Sequence, residues 1–474
     1  MKYLLSAILF FISINNIYSQ QNEYITVVGD SLIGKVINGE SVREVYGHVV
    51  VKQADVVMTC NKAIQYFARN DADLIGNVIV KQDTMTITTD TAYYSGNLKK
   101  ATSNCGVKLD DKKVILVADS GDYFFDENKA VFKSNVTLFD TSATLTSEEL
   151  IYFKDEDRMI AVNNVKIVQK GNVITADSLD YFRNKRITFA FNNVAINNPE
   201  NNVRIYGDHL EDYAEKYYTL VDKNPLLIQI DTAYNKTPDT LATGTIDTVL
   251  TMKIDTLVIR SNVMEAWRDT INLFKAEDSV RIVRSGFASK NDFTIYHRKE
   301  GEIITYKVNE EANQPILWYN SSQLTGDSVS ISLVENQIRL LKVFGNAFIL
   351  SQNEKYTNRY DQTSGDTVVL NFNNGVLTKT EIYGNVLSIY YLYEDEEPNG
   401  LTRSSSRSAK IVFDNREVSE VRLYGTPASE YYPEKQVKGK ELTFTLPLFK
   451  FYNNRPSKLG LLEAEGKRQT TEEK

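Results

Sequence analysis

Three histidines and two cysteines are all that 474 residues contain. His48, His209 and His297 have no second histidine or cysteine at a metal-ligand spacing, so no metal site is expected. Cys60 and Cys105 fall at different points of the repeat described below. Stacking does not bring them together, and free thiols are expected even in an exported chain. No GxSxG elbow, P-loop or dinucleotide fingerprint is present. Basic residues are dispersed and outnumbered, 54 against 62, for a net charge of −8. That excludes nucleic acid, whose binding rests on phosphate neutralisation, and attachment to anionic headgroups by charge alone. Beyond the N-terminus no apolar run is long enough to cross a bilayer as a helix.

What the chain has instead is periodicity. Val49, Val78, Val107, Val136, Val165 and Val194 stand 29 residues apart. A second ladder follows two residues later: Val51, Val80, Leu109, Leu138, Ile167 and Ile196. A third, seven further on, is Met58, Ile87, Leu116, Leu145, Ile174 and Val203. Apolar residues at i and i+2 with a tolerant residue between them have the period of a half-buried strand. A fixed period of this size means a stacked repeat architecture. An aromatic ladder runs Tyr94, Tyr123, Tyr152, Tyr181, and Gly-Asn, Asp-Glu-Asn and similar groups punctuate the repeat. Each repeat reads as two or three short strands joined by tight turns. The ladders suit a sealed core as well as a groove left open between two inner faces.

Other features have a place in this scheme. Met1-Lys2, an apolar run from Tyr3 to Ile14 and Ser19 before Gln20 read as a signal peptide over residues 1–19. With no cysteine near the cleavage point, an exported soluble protein without a lipid anchor is expected. A first β-rich domain is expected over 20–230 and a Thr/Asp-rich linker or loop over 231–255. A second β-rich domain is expected over 256–455 and a charged tail over 456–474. In the second domain GDSV at Gly326 recurs as GDTV at Gly365, and VFGN at Val343 as IYGN at Ile382, each 39 residues on. The Gly-Asn pairs suit positive-φ turns before strands, and Glu394–Arg407 reads as a mobile loop. His48 takes the position of Asn77 one repeat earlier, which suits a turn. Asp90, Asp119, Glu148 and Asp177 form a carboxylate ladder. It reads as solvated strand ends beside turns, calcium or an active cleft being the alternative. Trp267 and Trp318 are core aromatics or sugar platforms.

The unit Gly76-Asn77-Val78-Ile79-Val80, with DTAYYSG, DSGDYFF, EELIYF and DSLDYF beginning at Asp90, Asp119, Glu148 and Asp177, resembles the OstA-like family. That family includes the periplasmic bridge protein of lipopolysaccharide transport and the periplasmic domain of its outer-membrane partner. The resemblance covers about Asp30 to Leu220. DTLVIRSNVMEAWRD from Asp255, QPILWYNSSQLTGDSV from Gln314, VFGNAFI from Val343 and Arg455-Pro456 resemble longer members of the Bacteroidetes type.

The resemblance implies an all-β, open, twisted β-jellyroll built from the 29-residue repeats and continued by a similar second half. It implies a periplasmic, non-enzymatic protein without cofactor, holding lipid A acyl chains between its sheets. The expected lipid-facing residues are Val78, Val80, Ile87, Val107, Leu109, Leu116, Val136, Leu138, Leu145, Val165, Ile167 and Ile174. Implied partners are lipopolysaccharide and other transport components, or a second copy joined by edge-strand addition. Outer-membrane association would run through a partner, since the chain lacks the amphipathic strands of a transmembrane barrel. The alternative is a structural or adhesive scaffold with a sealed core, and a weaker one a polysaccharide-active enzyme. An open groove predicts that Leu116→Asp loses lipid binding and keeps its fold, whereas a sealed core predicts collapse.

Overall fold

The computed structural model describes residues 24–82, 85–141, 143–240, 246–414 and 417–463. The expected signal peptide lies outside them. The chain is all-β, with antiparallel pairing throughout the described strands. Two compact units divide it: residues 1–141 with 151–154, and 142–150 with 155–474.

In the first unit most repeats supply two long strands, such as Asp71–Gln82 and Met85–Ser95, and the repeat from Lys100 to Phe124 supplies four short ones. Each long strand bends at its middle. Asp71–Ile75 pairs with Thr91–Ser95, whereas Val78–Gln82 pairs with Met85–Thr89, with a register shift between Ile75 and Val78. The two arms then keep separate company. The first arm continues through Lys100–Ser103, Ser120–Phe124 and Lys129–Lys133. The second continues through Val107–Asp110, Val114–Ala118 and Thr137–Asp140. Two sheets share their strands along a row of corners, and apolar side chains fill the space between them. This is the jellyroll geometry that the family resemblance implied.

The corners are β-bulges rather than turns. His48, Asn77, Gly106, Asn135, Asn164 and Asn193 stand 29 residues apart and all have positive φ. Asparagine and glycine enter that region at low cost, and a bulge bends a strand without ending it. The Gly-Asn pairs therefore sit inside long strands, and the expected two or three short strands per repeat are mostly two bent ones. His48 takes the asparagine's position with φ 44°. Each bulge leaves the next valine facing inward: the six ladder valines are all buried.

The second unit repeats this plan. Gly345-Asn346 and Gly384-Asn385 mark corners where register shifts inside Gln337–Gln352 and Val376–Glu394. A Cβ on Gly345 would meet the Asp327 carboxylate, so this close approach requires glycine. The expected linker at 231–255 is instead paired backbone. Its described residues lie in Leu226–Thr240 and Ile246–Arg260, which pair along their full length. β-branched Thr, Ile and Val outweigh the turn chemistry of its Asp residues. The expected loop Glu394–Arg407 is likewise a hairpin turned at Asp395-Glu396, and Glu397–Asp414 is a strand.

Two apolar layers, not one, organise the second unit. Leu317, Leu324 and Ala347 belong to the interior cluster. Their neighbours Ile316, Trp318, Phe348 and Leu350 point outward yet are buried. The chain after Pro433 covers them. Val437 and Leu446 pack on Phe348 and Leu350, and Leu461 on Ile316 and Trp318. Gln362 donates to Phe444 O (2.9 Å) and accepts from Leu446 N (2.8 Å). Gln323 does the same with Lys450 O (2.8 Å) and Tyr452 N (2.9 Å). Each buried amide stands in for a neighbouring strand. Arg359 clamps Glu434 through its two terminal guanidinium nitrogens, at 3.1 and 2.6 Å. The part of the expected tail up to residue 463 is thus a fixed strap, held further by Arg260 donating to Leu461 O (2.9 Å). Residues 464–474 lie outside the described residues.

Candidate functional site

The space between the arms is where the ladders converge. In the first unit Val51, Met58, Val80, Ile87, Leu109, Leu116 and Leu138 are successive cross-strand partners on seven strands of the second arm. At about 4.8 Å per strand this forms an apolar rail roughly 30 Å long. In the second unit Ile167, Ile174, Ile196, Ile205, Leu227, Ile259 and Ile282 form another. Of the twelve expected lipid-facing residues, ten are buried: Val78, Val80, Ile87, Val107, Leu109, Leu116, Val136, Leu138, Leu145 and Val165. Ile167 and Ile174 are half-buried, and so is Ile196. They face inward, since Val165, Ala176 and Val194 on the same side of their strands are buried. The interior is less tightly closed there than in the first unit.

The first unit's interior is filled. Leu116 is 1% exposed and Ile87 7%. A cavity of about 20 Å³ remains, lined by Val80, Ile87, Ala92, Val107, Tyr123 and Phe132 among others. That is room for one water and not for an acyl chain.

The slit opposite the corners is barred. Tyr94, on the first arm, donates to Gln53 Oε1 on the second (2.6 Å), and Gln53 donates to Gly96 O (3.0 Å). One repeat later Tyr123 bonds Gln82, which donates to Asn128 Oδ1 (3.0 Å). Another repeat on, Tyr152 donates to an Asp111 carboxylate oxygen (3.1 Å). Phe125 wedges edge-on between Tyr94 and Tyr123, its ring centroid 5.8 and 4.8 Å from theirs. Burial, with the nearby carboxylates of Asp126 and Asp55, pushes the Tyr94 hydroxyl well above its ordinary pKa and keeps it a proton donor. The tyrosine ladder was visible in the sequence. Its polar partners went unread, although Gln53, Gln82 and Asp111 recur at the same 29-residue spacing.

The carboxylate ladder serves the corners. Asp119 accepts from the corner asparagine Asn135 (2.6 Å) and Asp177 from Asn193 (3.0 Å). Asp327 and Asn346 repeat this at 2.9 Å in the second unit. These bonds hold bulges in shape, and among the described residues no group of three potential metal ligands occurs. Trp318 lies under the strap as a core residue, and Trp267 packs on Tyr218 at 5.0 Å.

Both thiols are free, Cys60 buried and Cys105 exposed. At Cys105 partial desolvation opposes the thiolate. Hydrogen bonds with Thr89, Thr91 and Ser103 outweigh it and bring the thiol down to about 7. Desolvation pushes the Cys60 thiol up. Alkylation of the folded protein by iodoacetamide is therefore expected at Cys105 alone, with a rate midpoint near pH 7. A midpoint at the pH of an ordinary free cysteine would contradict the hydrogen-bonded thiolate.

These features define a class: an all-β protein of bent-strand repeats with an apolar space between two arms. The model of a family described as OstA-like protein matches residues 25–171, so that segment of the chain is similar to this family. A search of the curated proteins finds no match. Among solved structures the chain is similar to the crystal structure of LptH from Pseudomonas aeruginosa. That protein is described as the LptA-homologous periplasmic component of the conserved lipopolysaccharide transport device. The identity is 16%, covering 36% of this chain and 85% of LptH, with a TM-score of 0.11.

Proposed function

We propose that this protein is a periplasmic carrier of lipopolysaccharide, holding lipid A acyl chains along the apolar rails between its arms. One observation supports this above others: an OstA-like segment whose inward residues form an unbroken apolar row across seven strands. Each buried CH₂ of an acyl chain would contribute about 0.8 kcal/mol, without help from charge. No chemistry is performed on the cargo in this reading. The outermost strand Ser31–Ile37 supports a bridging role. Among the described residues it pairs on one side only, with Glu40–Tyr46, and exposes Leu32, Ile33 and Val36. Such an edge suits strand addition by another transport component or a second copy.

The filled interior of the first unit favours one rival, a sealed structural scaffold. A photo-crosslinking residue separates the two. Placed at Ile167, which is half-buried and faces inward, it should form lipopolysaccharide adducts in cells of the source organism. Placed at the outward neighbour Lys166 it should not. No adduct at Ile167 or at Ile174 in folded protein would leave the scaffold.

A further inference from the structure

The three tyrosine bonds across the slit form a series, not a coincidence of packing. Donors Tyr94, Tyr123 and Tyr152 and acceptors Gln53, Gln82 and Asp111 each recur at 29 residues, so every bond spans 41 residues of chain. Each joins the free ends of the two arms, opposite the corners that hold the arms together. Corners are covalent and cannot part. Apart from Ile25, whose backbone bonds Asn70 and Gln65 at one end, the slit is closed through side chains. A buried neutral hydrogen bond is modest in net strength, so the closure is reversible, one rung at a time. The rail residues behind it are buried, and the cavity of about 20 Å³ among them has no space for a chain of methylenes. Any apolar guest must therefore part the arms, and the bars are the polar bonds this movement breaks.

We infer that the tyrosine bars are a lateral gate: Tyr94–Gln53, Tyr123–Gln82 and Tyr152–Asp111 must open for an acyl chain to enter the first unit sideways. The inference rests on the carrier reading for its guest, though the opening itself does not. Tyrosine suits the role. Its ring belongs to the apolar wall when the gate is shut, and its hydroxyl finds water when the gate is open. The partner amides make a second bond across the slit, Gln53 to Gly96 O and Gln82 to Asn128 Oδ1 on the tyrosines' own rim, so two of the rungs are double.

The test reads opening and uptake separately on the full mature chain. Leu116→Cys, in a Cys60→Ser, Cys105→Ser background, places a reporter thiol between the arms. Its labelling by N-ethylmaleimide is compared with and without Tyr94→Phe and Tyr123→Phe. Uptake of a fluorescent palmitate is timed on the same proteins. Loss of the two tyrosine bonds should speed labelling about tenfold, at a few-fold for each hydrogen bond, and should speed uptake in parallel. Unchanged labelling in a folded variant would overturn the gate whatever the palmitate does. Faster labelling with no uptake by any form would keep the gate and remove the carrier reading. Should the phenylalanine pair not fold, Gln53→Leu with Gln82→Leu removes both bonds of each rung from the other rim, and the same two outcomes decide.

Discussion

Leu116→Asp should unfold the first unit, at a cost of roughly 5 kcal/mol, the upper range for a single substitution. Leu116 is 1% exposed and sits in the rail between Leu109 and Leu138, its cross-strand partners. An aspartate there loses the leucine's packing and sets a carboxylate among aliphatic side chains. Thermal unfolding followed by circular dichroism would register the loss. A variant melting within a few degrees of the parent would mean that water reaches Leu116 and that the arms stand open in solution. The sequence left both outcomes possible. The filled interior decides for collapse, which makes this variant a probe of the resting state rather than of cargo binding.

Removing the strap should be nearly as damaging. A chain ended after Tyr432 loses Val437, Leu446 and Leu461, all buried. At about 1.5–3 kcal/mol for each fully buried apolar side chain, the loss is about 6 kcal/mol before ordering entropy is returned. It also bares Leu226, Val258, Ile316, Trp318, Phe348 and Leu350 on one outer face. A contiguous apolar patch of that kind drives association. The truncated protein is expected to bind a hydrophobic dye strongly and to elute from size exclusion as oligomers. Monodisperse truncated protein with the parent's melting temperature would show that the strap is dispensable.

The strap shows where sequence reasoning reached its limit. Gln323 and Gln362 lie 39 residues apart, three before the glycines of GDSV and GDTV, so the repeat of the second half carried this signal. Read alone, an amide in a strand looks like solvated surface. Only its two bonds to returning backbone reveal the cover. The runs ILWY at Ile316 and AFIL at Ala347 were the other cue, since a strand buried on both faces is apolar without alternation. In the first half the inward residues were legible because every repeat has the same length. The rail from Ile167 to Ile282 continues the same geometry through segments of unequal length, and its later members escaped a fixed-period reading. The corners were misread as turns because Gly-Asn at positive φ serves both a hairpin turn and a bulge. Only register distinguishes them.

The corner bulges carry a further consequence. Side chains alternate between faces with a period of two, so one residue inserted within an arm would turn the rest of that arm inside out. Adding one whole 29-residue unit disturbs nothing, because it brings its own corner, its own valine and its own pair of strands. It lengthens the stack by two strand spacings, about 10 Å. The first half of this chain is in that sense a ruler, whose reach is counted in copies and can be reset by duplication without redesigning a single contact.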